Sequence, residues 1–408
     1  MHRRPSRRLL LTASGSAMLA ALGGRALASG VTQQQESGPD AQERGAGPES
    51  AAAPSGALGV NFNEDPSDLG FSELKALSAS WLRGFLPIRE SDQGDPARQP
   101  AVATLLEAAQ RGYRTVLSLK FPYTGKPLPQ AGSTAMAALL ARVDAVLGAV
   151  MGKADILTIG NEPFLETMPA ERDSTLNAFY ERLAAHVIAY RSAHCGGSAC
   201  RTRLYMGALN RLDDPAQQTP ATERWMTYVR TTRAIDGVDI HPHVSRIEAA
   251  GEYLDYVLPR LRTGQKFLAT EFSLVHYWDQ HMEDVVPAQF AGRYGVAPDT
   301  QVWQVVADAI RSPFPQQKWD DFLALSPWFE TRKTYLTNQM RMFRETGRLA
   351  VATYAGVQIQ SMAQDFGPDK MPWILNPAYA NRTVRPDSDG TPGRNYAWFE
   401  AFRALQQA

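Results

Sequence analysis

Apolar residues along this chain follow two rhythms. From residue 57 onward, short β-rich runs alternate with longer stretches whose apolar positions recur at helical spacing. The runs are ALGVNF, SWLRGFLP, RTVLSLKFP, ADILTIGNE, TRLYMGALN, IDGVDIHPH, QKFLATEF and RLAVATYAGVQI. The helical stretches that follow them cover 67–78, 98–111, 133–151, 171–192, 222–233, 246–262, 329–346 and 394–405. Ser133 reads as the N-cap of the third and Gly152 as its C-cap. The runs are apolar on both faces, as parallel strands covered by helices must be. Eight strand–helix units in succession predict an α/β fold, the (β/α)8 TIM barrel. An open doubly wound sheet is the competing architecture. No Gly-x-Gly-x-x-Gly joins a strand to a helix, which argues against a dinucleotide site.

Two of the runs end in a way their hydrophobicity does not require. The fourth continues as LTIGNEPF, so Asn161 and Glu162 emerge from a buried strand and Pro163 follows at once. Proline there stiffens the chain beside the carboxylate. The bland reading is a polar turn. In a barrel, however, the C-terminal rim is where catalytic groups converge from several strands. The seventh run also ends in a carboxylate, Glu271, after Phe267-Leu268-Ala269-Thr270. Two carboxyl groups facing each other are what glycosidic cleavage needs: one protonates the leaving oxygen and the other attacks carbon or activates water.

With these motifs the chain from about residue 57 onward resembles the large clan of retaining (β/α)8 glycoside hydrolases with catalytic glutamates on strands four and seven. The resemblance implies that Glu162 is the acid/base and Glu271 the nucleophile. It implies that Asn161 contacts the sugar 2-hydroxyl and that Arg83, in Trp81-Leu82-Arg83-Gly84, lies beside the nucleophile. It implies a carbohydrate substrate and no cofactor. Many clan members carry His-x-Tyr on strand six; here the segment is His241-Pro242-His243, so a second histidine stands where the tyrosine would be. The clan's strand-eight tryptophan is absent from TYAGVQ. Trp278, soon after Glu271, and Trp373, in the loop after the eighth strand, are the replacement candidates for a sugar platform. The stretch between Glu271 and the eighth strand is far longer than an ordinary connection and also carries Trp303, Trp319 and Trp328. Trp303 and Trp319 fall in helical patterns and are expected to pack that insertion's own core.

Two other functions compete. His241-x-His243, with Asp239 and Glu271, is also compatible with a divalent metal in an amidohydrolase-like barrel. The third reading is a non-catalytic glycan-binding barrel, against which the paired glutamates argue.

Composition changes little. Of 408 residues, 44% are apolar and 21% charged, and the 42 basic residues balance 42 acidic ones. No charge excess points to nucleic acid. The first 28 residues have a basic start, a mildly apolar stretch and Ala26-Leu27-Ala28, the order of a secretory signal. Ser6-Arg7-Arg8-Leu9 resembles a twin-arginine signal. That stretch is too short and diluted for a retained membrane anchor. Residues 29–56 are poor in core-forming side chains and read as a disordered linker before the catalytic domain at 57–408. In an exported protein, Cys195 and Cys200 are positioned to close a small disulfide loop, since two thiolates alone make an incomplete zinc site. N-terminal sequencing of mature protein from the extracytoplasmic fraction is expected to start near Ser29; intact residues 1–28 on cytosolic protein would contradict export.

Overall fold

Parallel strands bury both faces, and the eight apolar runs satisfy that requirement by closing on one another. The computed structural model describes residues 55–407. The expected signal and nearly all of the expected linker lie outside the described residues. The strands are β1 (Ala57–Asn61), β2 (Trp81–Pro87), β3 (Arg114–Lys120), β4 (Ile156–Ile159), β5 (Arg203–Asn210), β6 (Gly237–His241), β7 (Lys266–Ala269) and β8 (Leu349–Ala355). They pair in parallel in chain order, and β8 pairs with β1 to close the barrel. The expected (β/α)8 architecture follows from this pairing alone, and the doubly wound alternative falls with it.

Helices follow the strands as the periodicity predicts, with boundaries trimmed by capping. The third helix runs Thr134–Val150, and Ser133 caps it by accepting a bond from the Met136 N–H at 3.1 Å. Its C-cap is Met151 rather than Gly152, which follows in the left-handed region at φ 78°. The helix expected at 329–346 is split into Pro327–Glu330 and Tyr335–Glu345. The helix Ser174–Cys195 ends at left-handed Gly196, and a disulfide joins Cys195 to Cys200 across a Cα separation of 5.1 Å. No helix among the described residues is long and apolar enough to cross a membrane.

The barrel interior explains where polar chemistry can sit. One small cluster, separate from the main core, contains Trp81, Val116, Ile156, Leu268 and Val351. Side chains two positions apart on a strand share a face. Two residues further on come Arg83, Ser118, Thr158 and Thr353 on their strands and Thr270 just past the end of β7, all fully buried. The interior therefore changes from apolar to polar toward the C-terminal rim, one layer of side chains up.

The long segment between β7 and β8 forms its own helical layer, including Val275–Asp279, Ala288–Tyr294, Val302–Arg311 and Gln316–Leu325. Trp319 is fully buried there and Trp303 partly so. Trp278 is fully buried as well, stacked on Phe329 at 5.3 Å and flanked by Trp328 and Trp398. It cannot serve as a sugar platform. Its ring is committed to anchoring the insertion, because a large aromatic gains more from a packed apolar site than from the rim. Trp278→Ala should cost about 3–5 kcal/mol of stability, the usual range for an aromatic cavity in a core, read from urea unfolding.

Candidate active site

Chain geometry at the end of β4 explains the Asn-Glu-Pro motif. Gly160 takes φ 101°, turning the strand out of the barrel wall. Glu162 then acts as the N-cap residue of the short helix Pro163–Glu166, with Pro163 in its first turn. Proline is preset for that position and loses no needed donor there. The Glu162 carbonyl accepts bonds from the N–H groups of Leu165 and Glu166, so the backbone bearing the carboxylate is tied to the turn that follows it.

Arg83 ties the rim together. Its side chain is fully buried, and all five N–H donors are used. Nη1 donates to Glu271 Oε1 at 2.5 Å and to Asn61 Oδ1 at 3.1 Å. Nη2 donates to Asn161 Oδ1 at 2.7 Å and to Ser118 Oγ at 3.1 Å, and Nε reaches the same hydroxyl at 3.3 Å. Asn161 in turn donates from Nδ2 to Glu166 Oε1 at 3.0 Å. That fixes the orientation of its amide. Glu166 also accepts from the Phe121 N–H, and its carboxyl is raised above the ordinary range by burial and by Glu162, against the pull of Lys120.

The two histidines divide between the two glutamates. His243 Nε2 lies 3.6 Å from Glu271 Oε2, and its Nδ1 is 2.8 Å from Ser273 Oγ. His243 thus faces the carboxylate that the clan's tyrosine would face. Trp373 stands edge-to-face with the His243 ring at 4.8 Å and is partly exposed, at the mouth. His241 is fully buried. Its Nδ1 lies 3.2 Å from Glu162 Oε1 and its Nε2 2.9 Å from Thr270 Oγ1. The Thr270 hydroxyl donates onward to Asp239 Oδ2, and the Thr270 N–H donates to Asp239 Oδ1 at 3.0 Å. Glu162, Glu271, Asn161, Arg83, His241, His243 and Trp373 therefore gather at one rim; Trp278 does not.

Charge follows from these contacts. Burial pushes the Glu271 carboxyl up, but the charges of His241 and Arg83, with His243 beside it, outweigh it and hold it well below the usual range. Burial also disfavours a charged His241, yet Glu271, Asp239 and Glu162 together raise it to about 10. For Glu162, burial and Glu271 push upward, and the bond and charge of His241 win, so it too falls below the ordinary value. Desolvation and a neighbouring carboxylate alone would favour a protonated Glu162, but the structure puts an imidazole against it, and that contact turns the shift downward.

Glu162, His241 and His243 each offer a donor atom within 4.8 Å of the others. In this structure those atoms are turned to one another and to neighbouring polar groups. Both His241 nitrogens already serve Glu162 and Thr270, and His243 serves Ser273 and Glu271.

Sequence reasoning did not single out Asn61, Ser118, Glu166, Thr270 or Ser273. The available signal was position: Ser118 and Thr270 lie two residues beyond apolar interior positions, and Asn61 ends β1.

The sequence matches no protein-family model and no curated protein. Its fold is similar to that of several solved structures. A glucosidase from Croceicoccus marinus is 11% identical, with 88% of this chain and 69% of that one covered and a TM-score of 0.48. The endo-1,4-β-xylanase XylE of Penicillium canescens is 11% identical, covering 85% of this chain and 94% of that one at a TM-score of 0.47. Bacteroides uniformis β-glucuronidase 2 is 10% identical at a TM-score of 0.45; 87% of this chain is covered but only 35% of that one. These likenesses are loose, and the barrel assignment rests on the strand pairing.

The electrostatics set a pH dependence of stability. His241 is raised from about 6.5 in the unfolded chain, so its contribution is fully present below about pH 6.5 and is lost as pH rises through about 10. Glu162 and Glu271 are lowered, so theirs is present above about pH 4.3 and lost in acid. Thermal melts should show stability falling between pH 6.5 and 10, and His241→Gln should flatten that slope.

Proposed function

We propose that this protein is a glycoside hydrolase acting with retention, on an oligo- or polysaccharide outside the cytoplasm. One observation carries the reading. Carboxylates from the ends of β4 and β7 share a rim with two imidazoles, and one of them is also held ionised by a buried arginine. That asymmetry separates a nucleophile from a proton-transfer group, which is the division of labour double displacement needs.

Glu271 attacks the anomeric carbon as the carboxylate. Arg83 and His243 orient it and keep it charged, and the bond to carbon then discharges it. The Glu162–His241 pair supplies one proton to the leaving oxygen through Glu162. Once Glu271 is esterified, the negative charge facing the pair is halved, and Glu162 acts as base on the incoming water. Asn161 is oriented for a sugar hydroxyl by Arg83 and Glu166, and Trp373 offers an apolar face at the mouth. No step calls on a metal.

The test begins with a product screen of the purified domain against a panel of polysaccharides, with the anomer of the first product read by NMR. Retention is expected. Glu271→Ala should be nearly inactive on every substrate. Glu162→Ala should lose about 10²–10⁴-fold on natural linkages, the usual worth of a general acid, and far less on aryl glycosides whose leaving group departs unprotonated. Equal losses for both variants on both substrate types would remove these roles.

A further inference from the structure

His241 hangs between Glu162 and a buried carboxylate that the reaction above does not use. Asp239 is fully buried, and His241 is its only ion-pair partner among the described residues, at 3.7 Å from Oδ2. A buried carboxylate is costly unless it is hydrogen-bonded and faces positive charge. Thr270 supplies the bonds, giving its backbone N–H to one oxygen and its hydroxyl to the other.

Those bonds decide the orientation of protons on His241. A hydroxyl has one hydrogen. Thr270 gives it to Asp239, so its oxygen can only accept from His241 Nε2. Nε2 therefore keeps its hydrogen in both charge states of the ring. The nitrogen that gains and loses a proton is Nδ1, the one 3.2 Å from Glu162 Oε1.

We propose that Asp239, acting through Thr270 and His241, is a positioning residue that fixes the resting place of the Glu162 proton. In the free protein the proton sits on Nδ1, and Glu162 is a carboxylate. Transfer to Oε1 breaks one N–H bond and forms one O–H bond. It leaves a neutral imidazole, still donating from Nε2, and a carboxylic acid. The charge of the pair does not change, and no further reactant is needed. The naming of Glu162 as acid/base rests on the glycoside hydrolase reading; the relay itself does not.

The groups facing the ring agree. Glu271 at the end of β7, Glu162 beyond β4 and Asp239 on β6 all favour the charged form. Opposing them is burial; the ring of His243 stands 5.9 Å away. Arg83 faces Glu271, with which it pairs.

The experiment is a pH titration of the full chain carrying ¹⁵N-labelled histidine, followed by NMR, with His241→Gln assigning the His241 signals. The wild type should hold Nε2–H throughout and release the Nδ1 proton well above pH 7. Asp239→Asn should lower that midpoint by at least about one pH unit, a tenfold loss of proton affinity. Thr270→Val should remove the Nε2–H preference, and Thr270→Ser should retain it. Should Asp239→Asn fail to fold by circular dichroism, the Thr270→Val and Thr270→Ser pair decides alone. Midpoint and tautomer unchanged in the folded variants would overturn the proposal. The basic limb of kcat/KM should move down with the NMR midpoint. An active Glu162→Gln variant with the titration as described would instead sink the acid/base reading and leave the relay standing.

Discussion

A guanidinium buried inside a barrel has to be satisfied completely, and the rim is built around that demand. Arg83 occupies an interior position one layer above Trp81, fully shielded from the protein surface. A charge in such a place is tolerated only with a counter-charge and every donor bonded. The partners come from four different segments: Asn61 of β1, Ser118 of β3, Asn161 after β4 and Glu271 after β7, around the arginine that β2 supplies. Each of these segments is thereby pinned in height and rotation relative to the others. The carboxylate of Glu271 and the amide of Asn161 take their orientations from the same cation.

The rest of the site is a problem in sharing protons among crowded acids. Glu162, Glu271 and Asp239 all approach His241, and a fully charged set with a neutral ring would repel itself. One imidazolium among them lowers the cost for all three. The same ring that lowers the Glu162 carboxyl is, in the proposed reaction, the nearest source of a proton for it. Glu166, held by Asn161 and Phe121 and raised by burial, lies on the far side of the amide and stabilises orientation rather than charge.

Much of this was legible along the chain. The eight strand–helix units and the two carboxylates at strand ends follow from local pattern, because a both-face apolar strand that ends in charge is conspicuous; the arginine on β2 came only from the family resemblance. The tryptophans were not legible in the same way. Trp278 is close to Glu271 in sequence, yet its ring turns away from the mouth into a cluster with Phe329, Trp328 and Trp398. Trp373, a hundred residues from Glu271, reaches His243. Nearness in sequence says little about which side of a loop faces the site when an inserted helical layer needs an anchor of its own.

The sequence by itself determined the barrel, the rim on which chemistry sits, and the residue types available there, since strand period and closure follow from the local order of apolar and polar side chains. It did not determine the state of Glu162. Burial and a neighbouring carboxylate both argue for a protonated acid, and only the folded chain brings His241, Thr270 and Asp239 into line against it. Those residues come from two strands whose register is set by pairing across the whole sheet. A proton's position depends on separations of about 3 Å between groups far apart in the chain, and such separations exist only once the barrel has closed.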